Sequence, residues 1–251
     1  MRELAKGDRL AETGAPTAGA RALLAALGVR VEDGPQEHGP PRGRRTGVLV
    51  VANHMSWLDP LVLVSIEPGV VLARHDVGRW PVIGTLARQA GTVFIDRGNP
   101  RQLPVVVDTV ASVLRSGRTV MVFPQATTWC TASGGGFRRA VFQAAVDAGA
   151  PVQPVTIGYY QEGLPSTVAA FLGDDNYATS LLRVSSARGL TVRVTAHPPF
   201  RGGDRRWLAA AAREAICRTD TRQPHGPTVH GQRAVPGASS DRSRLGLCQA
   251  E

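Results

Sequence analysis

Short apolar, β-branched runs recur through the middle of the chain, and a stretch of helical length follows each one. The clearest are Val48-Leu49-Val50-Val51-Ala52, Thr92-Val93-Phe94-Ile95, Thr119-Val120-Met121-Val122-Phe123 and Val152-Gln153-Pro154-Val155-Thr156-Ile157. Strands that alternate with helices cannot close as neighbouring hairpins, so they pair in parallel and cover both faces of a sheet with helices. The pattern therefore predicts a single α/β domain, a mainly parallel mixed sheet flanked by helices. Expected strands cover 47–52, 70–73, 91–95, 119–123, 152–158 and 190–196. Expected helices cover 56–66, 81–90, 102–116, 137–148, 176–188 and 204–217. Before this alternation, residues 1–17 are polar, Ala18 to Leu27 reads as a helix stopped at Gly28, and Val29 to Glu32 alternates like an edge strand. Gly, Pro and Arg mark 33–45 as a loop.

The strand 47–52 runs into Asn53-His54-Met55-Ser56-Trp57-Leu58-Asp59. Histidine is the side chain best suited to taking a proton near neutral pH. A carboxylate close to it fixes its tautomer and stabilises the imidazolium that forms. No serine or cysteine stands beside the pair in an elbow motif, so a His54/Asp59 dyad would activate a substrate hydroxyl rather than an enzyme nucleophile. Ser56 and Asp59 also have the spacing of a helix capping box. The two readings are compatible, because open α/β sheets place their sites where a strand ends and a helix begins.

Three later blocks add to this one: Gly91 to Arg97 with Phe94-Ile95-Asp96-Arg97, then Phe123-Pro124-Gln125-Ala126-Thr127-Thr128, then Val152-Gln153-Pro154-Val155 with Pro151 before it. Together, over residues 47 to 200, they resemble the glycerolipid acyltransferase family, specifically the 1-acylglycerol-3-phosphate (lysophosphatidate) acyltransferases. That family carries N-H-x-x-x-x-D, G-x-x-F-I-D-R, F-P-E-G-T-R and V-P-x-x-P-V in this order. The resemblance implies a glycerol-3-phosphate acyltransferase-like fold. It also implies O-acyl transfer from acyl-CoA or acyl carrier protein to a hydroxyl of lysophosphatidate or a related lipid. His54 and Asp59 would be catalytic, Asn53, Arg97, Gln125 and Thr127 would bind substrate, and no metal or cofactor beyond the acyl donor is expected. A backbone N–H near the third block would stabilise the oxyanion. The third block departs from the pattern at Gln125, Ala126 and Thr128, where the family has Glu, Gly and Arg. That loses a bidentate phosphate partner. It leaves room for two other readings: a non-phosphorylated acceptor such as an amine-containing lipid, or a non-catalytic module that holds lipid or carrier protein.

The chain carries 29 basic and 20 acidic residues, a net charge of +9, and Lys6 is its sole lysine. A basic surface suits an anionic membrane, acyl-CoA or an acyl carrier protein. No nucleic-acid motif accompanies the charge. Cys130, Cys217 and Cys248 have no metal or redox spacing, which fits a reducing cytoplasm. The apolar stretch Leu61 to Ala73 is interrupted by Glu67 and Pro68 and is too short to span a bilayer. A lipid substrate would then be met peripherally, at the cytoplasmic face. His75, His197, His225 and His230 read as structural or solvent-exposed. The chain thus divides into an N-terminal helix and loop over 1–46, an acyltransferase domain over 47–217 and a disordered tail over 218–251.

Overall fold

The computed structural model describes residues 14–33, 46–79, 83–89, 92–95, 100–129, 134–172 and 175–220. In chain order the elements are α1 (Ala15–Ala26), β1 (Arg30–Asp33), β2 (Leu49–Ala52), α2 (Asp59–Ile66), β3 (Val70–Arg74), α3 (Ile83–Gln89), β4 (Val93–Ile95), α4 (Leu103–Arg115), β5 (Val120–Val122), α5 (Ala140–Ala148), β6 (Val152–Gln161), β7 (Leu164–Pro165), α6 (Tyr177–Ser186), β8 (Leu190–Ala196) and α7 (Arg205–Asp220). Short 3-10 turns cover His75–Arg79 and Pro100–Gln102. The sheet order is β1-β8-β6-β2-β5-β3-β4, with β7 paired to β6. From β6 to β4 the strands run parallel, whereas β8 and β7 pair antiparallel to β6 and β1 runs parallel with β8. The sheet is thus mixed and mainly parallel, as the alternation of elements predicts.

Strand β2 shows why its sequence is apolar throughout. Side chains alternate across a strand. Val50 and Ala52 join a core built with α1, α2, α6, β6 and β8, while Leu49 and Val51 join a second core built with α4, α5, β5 and α7. A strand covered on both faces reads as a continuous hydrophobic run. It also holds the centre of the sheet, so the segment leaving its C-terminal end starts from a fixed position.

Several boundaries differ from the expectation. Helix α1 begins at Ala15, three residues early, because Pro16 sits in its first turn, where a missing N–H costs nothing, and Gly14 before it takes a left-handed φ of 67°. Strand β6 continues to Gln161, paired with β8 along seven residues. Helix α7 runs to Asp220, so residues 218–220, expected in the tail, are helical. Asp204 caps it, accepting from the N–H groups of Arg206 at 2.9 Å and Trp207 at 2.8 Å. Residues 221–251, the loop 34–45, Cys130, and Gly91, Asp96 and Arg97 lie outside the described residues.

Candidate active site

Strands β2 and β5 are neighbours and run in the same direction, so the segments that leave their C-terminal ends meet. The first carries His54, and the second is the Phe123–Trp129 block. Open α/β sheets bind ligands along this edge.

His54 Nδ1 lies 2.8 Å from Asp59 Oδ2. Asp59 is the first residue of α2, where a carboxylate also meets the positive end of the helix. Its side chain is fully buried and takes four donors. Oδ2 accepts from His54, from the Met55 N–H at 2.7 Å and from the Ser56 N–H at 2.8 Å. Oδ1 accepts from the Tyr159 hydroxyl at 2.5 Å. A carboxylate offers about four lone-pair positions, so this one is saturated. The dyad geometry is present, but the capping reading holds only in part, since α2 begins at Asp59 with Leu58 at its N-cap and no side-chain cap bond. The reach-back half of the box is present as Ser56 N–H to Asp59, and Ser56 Oγ accepts from the Leu58 N–H at 3.2 Å.

Because Asp59 accepts from Nδ1–H, the imidazole keeps its lone pair on Nε2, which has no protein partner among the described residues. The His54 side chain is 19% exposed and that of Asp59 is 0% exposed. An outside hydroxyl can reach the histidine and not the carboxylate. That is the arrangement of a base with a buried orienting group.

The third block holds this histidine. The Phe123 ring stacks under His54 with centroids 4.4 Å apart and planes 25° from parallel. Gln125 Oε1 accepts the His54 N–H at 2.6 Å, and the Trp129 N–H donates to the His54 carbonyl at 2.8 Å. The other end of the Gln125 amide donates to the Gly134 carbonyl. The Trp129 side chain packs against Gly134 and Gly135, where an added Cβ would fall 2.6 Å from its atoms. Glycine is needed there for the close approach. Thr128 donates its hydroxyl to the Phe171 carbonyl, and the Phe171 N–H donates to the Met55 carbonyl at 2.9 Å. Thr128 thus ties this loop to the segment after β7, which in turn holds the segment carrying His54.

The residues expected to bind substrate separate accordingly. Asn53 is fully buried, and both ends of its amide are spent on the backbone of Ile157, at 2.9 Å and 2.8 Å. It clamps β2 to β6 and is not placed to meet a substrate. Gln125 is buried and braces His54, as described. Thr127 is exposed beside them, and Arg97 falls outside the described residues. Two N–H groups of the third block are not the expected oxyanion donor. Ala126 N–H donates to the Phe123 carbonyl and Trp129 N–H to His54, so both are spent. Tyr159 carries no signal in the sequence, since it lies 100 residues from Asp59 and only the pairing of the sheet brings it near. Burial first, then the charge of Asp59 and the bond to it, push its hydroxyl well above the usual tyrosine value. His197 bonds Thr156 Oγ1 at 2.8 Å and is structural, as expected. Among the described residues there is no cluster of metal-ligating side chains.

Comparison with known proteins gives the family and the fold. The Acyltransferase family model matches residues 32–158. A 1-acyl-sn-glycerol-3-phosphate acyltransferase of Neisseria meningitidis is 38% identical over 177 residues, covering 69% of this chain and 67% of that one. A lyso-ornithine lipid O-acyltransferase of Pseudomonas aeruginosa is 36% identical over 174 residues, covering 68% of this chain and 67% of that one. The crystal structure of a 1-acyl-sn-glycerophosphate acyltransferase from Thermotoga maritima superposes with a TM-score of 0.59 at 20% identity, covering 88% of this chain and 82% of that one, and shares the fold. With the family model spanning half the chain and a relative 38% identical over two thirds of both chains, this protein belongs to the Acyltransferase family and is an acyltransferase.

Proposed function

We propose that the protein moves a fatty acyl group from a thioester donor, acyl-CoA or an acyl carrier protein, to a hydroxyl of lysophosphatidate or a related lyso-lipid. The 2.8 Å contact between His54 Nδ1 and the buried Asp59 carries this reading. His54 Nε2 takes the proton from the acceptor hydroxyl as its oxygen attacks the thioester carbonyl, and Asp59 stabilises the imidazolium. The C–O bond forms, the C–S bond breaks, and the leaving thiolate takes the proton back from His54. No bond to the enzyme is made. Thr127 and Arg97 remain the acceptor-binding candidates, with Arg97 toward a phosphate. No helix among the described residues is long and apolar enough to cross a membrane, and the net charge of +9 favours peripheral contact with an anionic surface.

A second acceptor class has its own support. Gln125, Ala126 and Thr128 replace the Glu, Gly and Arg of the third block, and relatives named lyso-ornithine lipid O-acyltransferases are nearly as similar as those named for the phosphorylated acceptor. An amine-containing lyso-lipid is therefore the alternative substrate. Thiol release by purified protein, with acyl-CoA and with acyl carrier protein, against lysophosphatidate and lyso-ornithine lipid decides between them. No transfer with either acceptor and either donor would sink the reading.

A further inference from the structure

A groove lies on the far side of the segment that braces His54. The segment 134–139 leads into α5 and packs against α7, and between them opens a groove of about 620 Å³. That is within the range of small-ligand sites, about 300–1,000 Å³. Arg139 stands on one side, and Arg206, Arg213 and Arg218 stand along α7 on the other. From Arg206 to Arg218 the helix rises about 18 Å at 1.5 Å per residue. The floor between the guanidiniums is apolar, formed by Phe137, Ala209 and Ala210. Glu214 is the acidic side chain in the lining, and it lies 3.5 Å from Arg218.

The groove and the His54 site share a wall. On one side, Gly134 accepts from Gln125, which holds His54, and the Arg138 N–H donates to the Pro124 carbonyl at 2.9 Å. On the other side, Arg213 Nε donates to the Gly135 carbonyl at 3.2 Å. A ligand gripped by α7 therefore lies across one short glycine segment from the reacting histidine.

We propose that this groove binds the adenosine 3′,5′-bisphosphate end of coenzyme A, the thioester arm running over the glycine segment to His54. The proposal rests on the acyl-transfer reading above and adds the donor and its site. Planar guanidiniums pair with phosphate oxygens two at a time. Coenzyme A carries three phosphate groups and a flat base, which match several arginines around an apolar floor. A folded carrier protein needs roughly 800 Å² of its own surface for stable docking, and a cleft between two helices offers a nucleotide a better fit than it offers a protein face.

The test uses adenosine 3′,5′-bisphosphate itself, titrated into the full-length protein by calorimetry at physiological salt. Saturable binding is expected, weaker by about tenfold in Arg139→Gln and in Arg206→Gln, each removing a charge-assisted phosphate partner. Both arginines are exposed, and matching melting curves confirm that the variants fold. Cys217 lines the groove, so the bisphosphate should shield it from alkylation, read residue by residue by mass spectrometry. With acyl-CoA as donor, KM should rise in both variants while kcat stays near wild type. No binding by wild type, or an unchanged KM in both variants, overturns the proposal. So does a defect confined to carrier-protein donors, which would make the groove a protein-docking face. His54→Ala should still bind the bisphosphate. Binding intact in a wild type that transfers no acyl group would keep the groove and sink the catalytic reading.

Discussion

The Tyr159 hydroxyl donates to Asp59 Oδ1 at 2.5 Å from the opposite side of the carboxylate's bond to His54. Asp59 thus has its second oxygen anchored in β6, and its orientation toward His54 is set by the sheet as well as by its own helix. Replacing Tyr159 by Phe keeps the ring and removes the donor. Transfer should fall about tenfold, since a bond to a charged group contributes about 1.5–3 kcal/mol. The acid limb of the rate profile should move to higher pH, because a carboxylate with one donor fewer holds the protonated imidazole more tightly. A packing role alone would leave that limb in place.

The same residue predicts a pH dependence of stability. The Tyr159 hydroxyl is held well above its ordinary value of 10.0, so folding favours the neutral phenol. That stabilisation is complete below about pH 10 and is lost as pH climbs above it. Denaturant titrations of wild type and Tyr159→Phe should differ by a constant amount from neutral pH to about 10, and the gap should narrow beyond. A gap that stays constant to higher pH would place the hydroxyl in a less demanding environment than this.

His54→Ala should fold and lose on the order of 10²–10⁴ in rate, the usual cost of removing a general base. Asp59→Asn should separate charge from shape. Its oxygen can still accept from Met55 and Ser56, and its amide can turn toward Tyr159, so folding should survive while transfer falls. Asp59→Ala strands those donors inside the protein and should lower stability by several kcal/mol. Wild-type turnover by His54→Ala would remove the dyad from the mechanism.

Much of this site is legible in the sequence because its parts are local. His54 and Asp59 are five positions apart, and the strand-to-helix turn between them brings the two side chains together at 2.8 Å. The apolar β-branched runs likewise give the sheet its strands and mainly parallel character. What the sequence leaves open depends on which strands become neighbours. Asn53 reads as a substrate-binding residue until β6 is set beside β2 and Ile157 meets both ends of its amide. Gln125 looks like a weakened substrate ligand until Gly134 folds back over it. Tyr159 has no mark at all, since only the register of the sheet puts it against Asp59.

Ala126 sits at a φ of 64°, where the family pattern has glycine. A left-handed backbone costs a residue with a Cβ about 1–2 kcal/mol. Ala126→Gly should relieve this strain, partly offset by the greater freedom of glycine in the unfolded chain. The expected gain is up to about 1 kcal/mol, read as a higher denaturant midpoint with an unchanged slope. A loss of stability would mean that the Ala126 methyl group packs better than its backbone angle suggests.

Gln125 offers the sharpest separation between bracing and substrate binding. Its carbonyl end accepts from the His54 N–H and its amide end donates to the Gly134 carbonyl. Gln125→Glu restores the family residue, keeps the acceptor and replaces the donor with a second oxygen facing a carbonyl. The buried carboxylate should cost about 1–3 kcal/mol at neutral pH. Its pKa in the folded protein should rise above the ordinary glutamate value of about 4.3, because only the protonated form can donate to Gly134. The variant therefore approaches wild-type stability at low pH and falls behind as pH rises through the raised value. Transfer should drop with it, since the His54 backbone loses a fixed neighbour. Adding Thr128→Arg should compound the loss by removing the hydroxyl that holds Phe171. Denaturant midpoints across pH, alongside rates on lysophosphatidate and lyso-ornithine lipid, measure all of this. If Gln125→Glu is as stable as wild type at neutral pH and faster on lysophosphatidate alone, position 125 meets the acceptor and its contact with Gly134 is incidental.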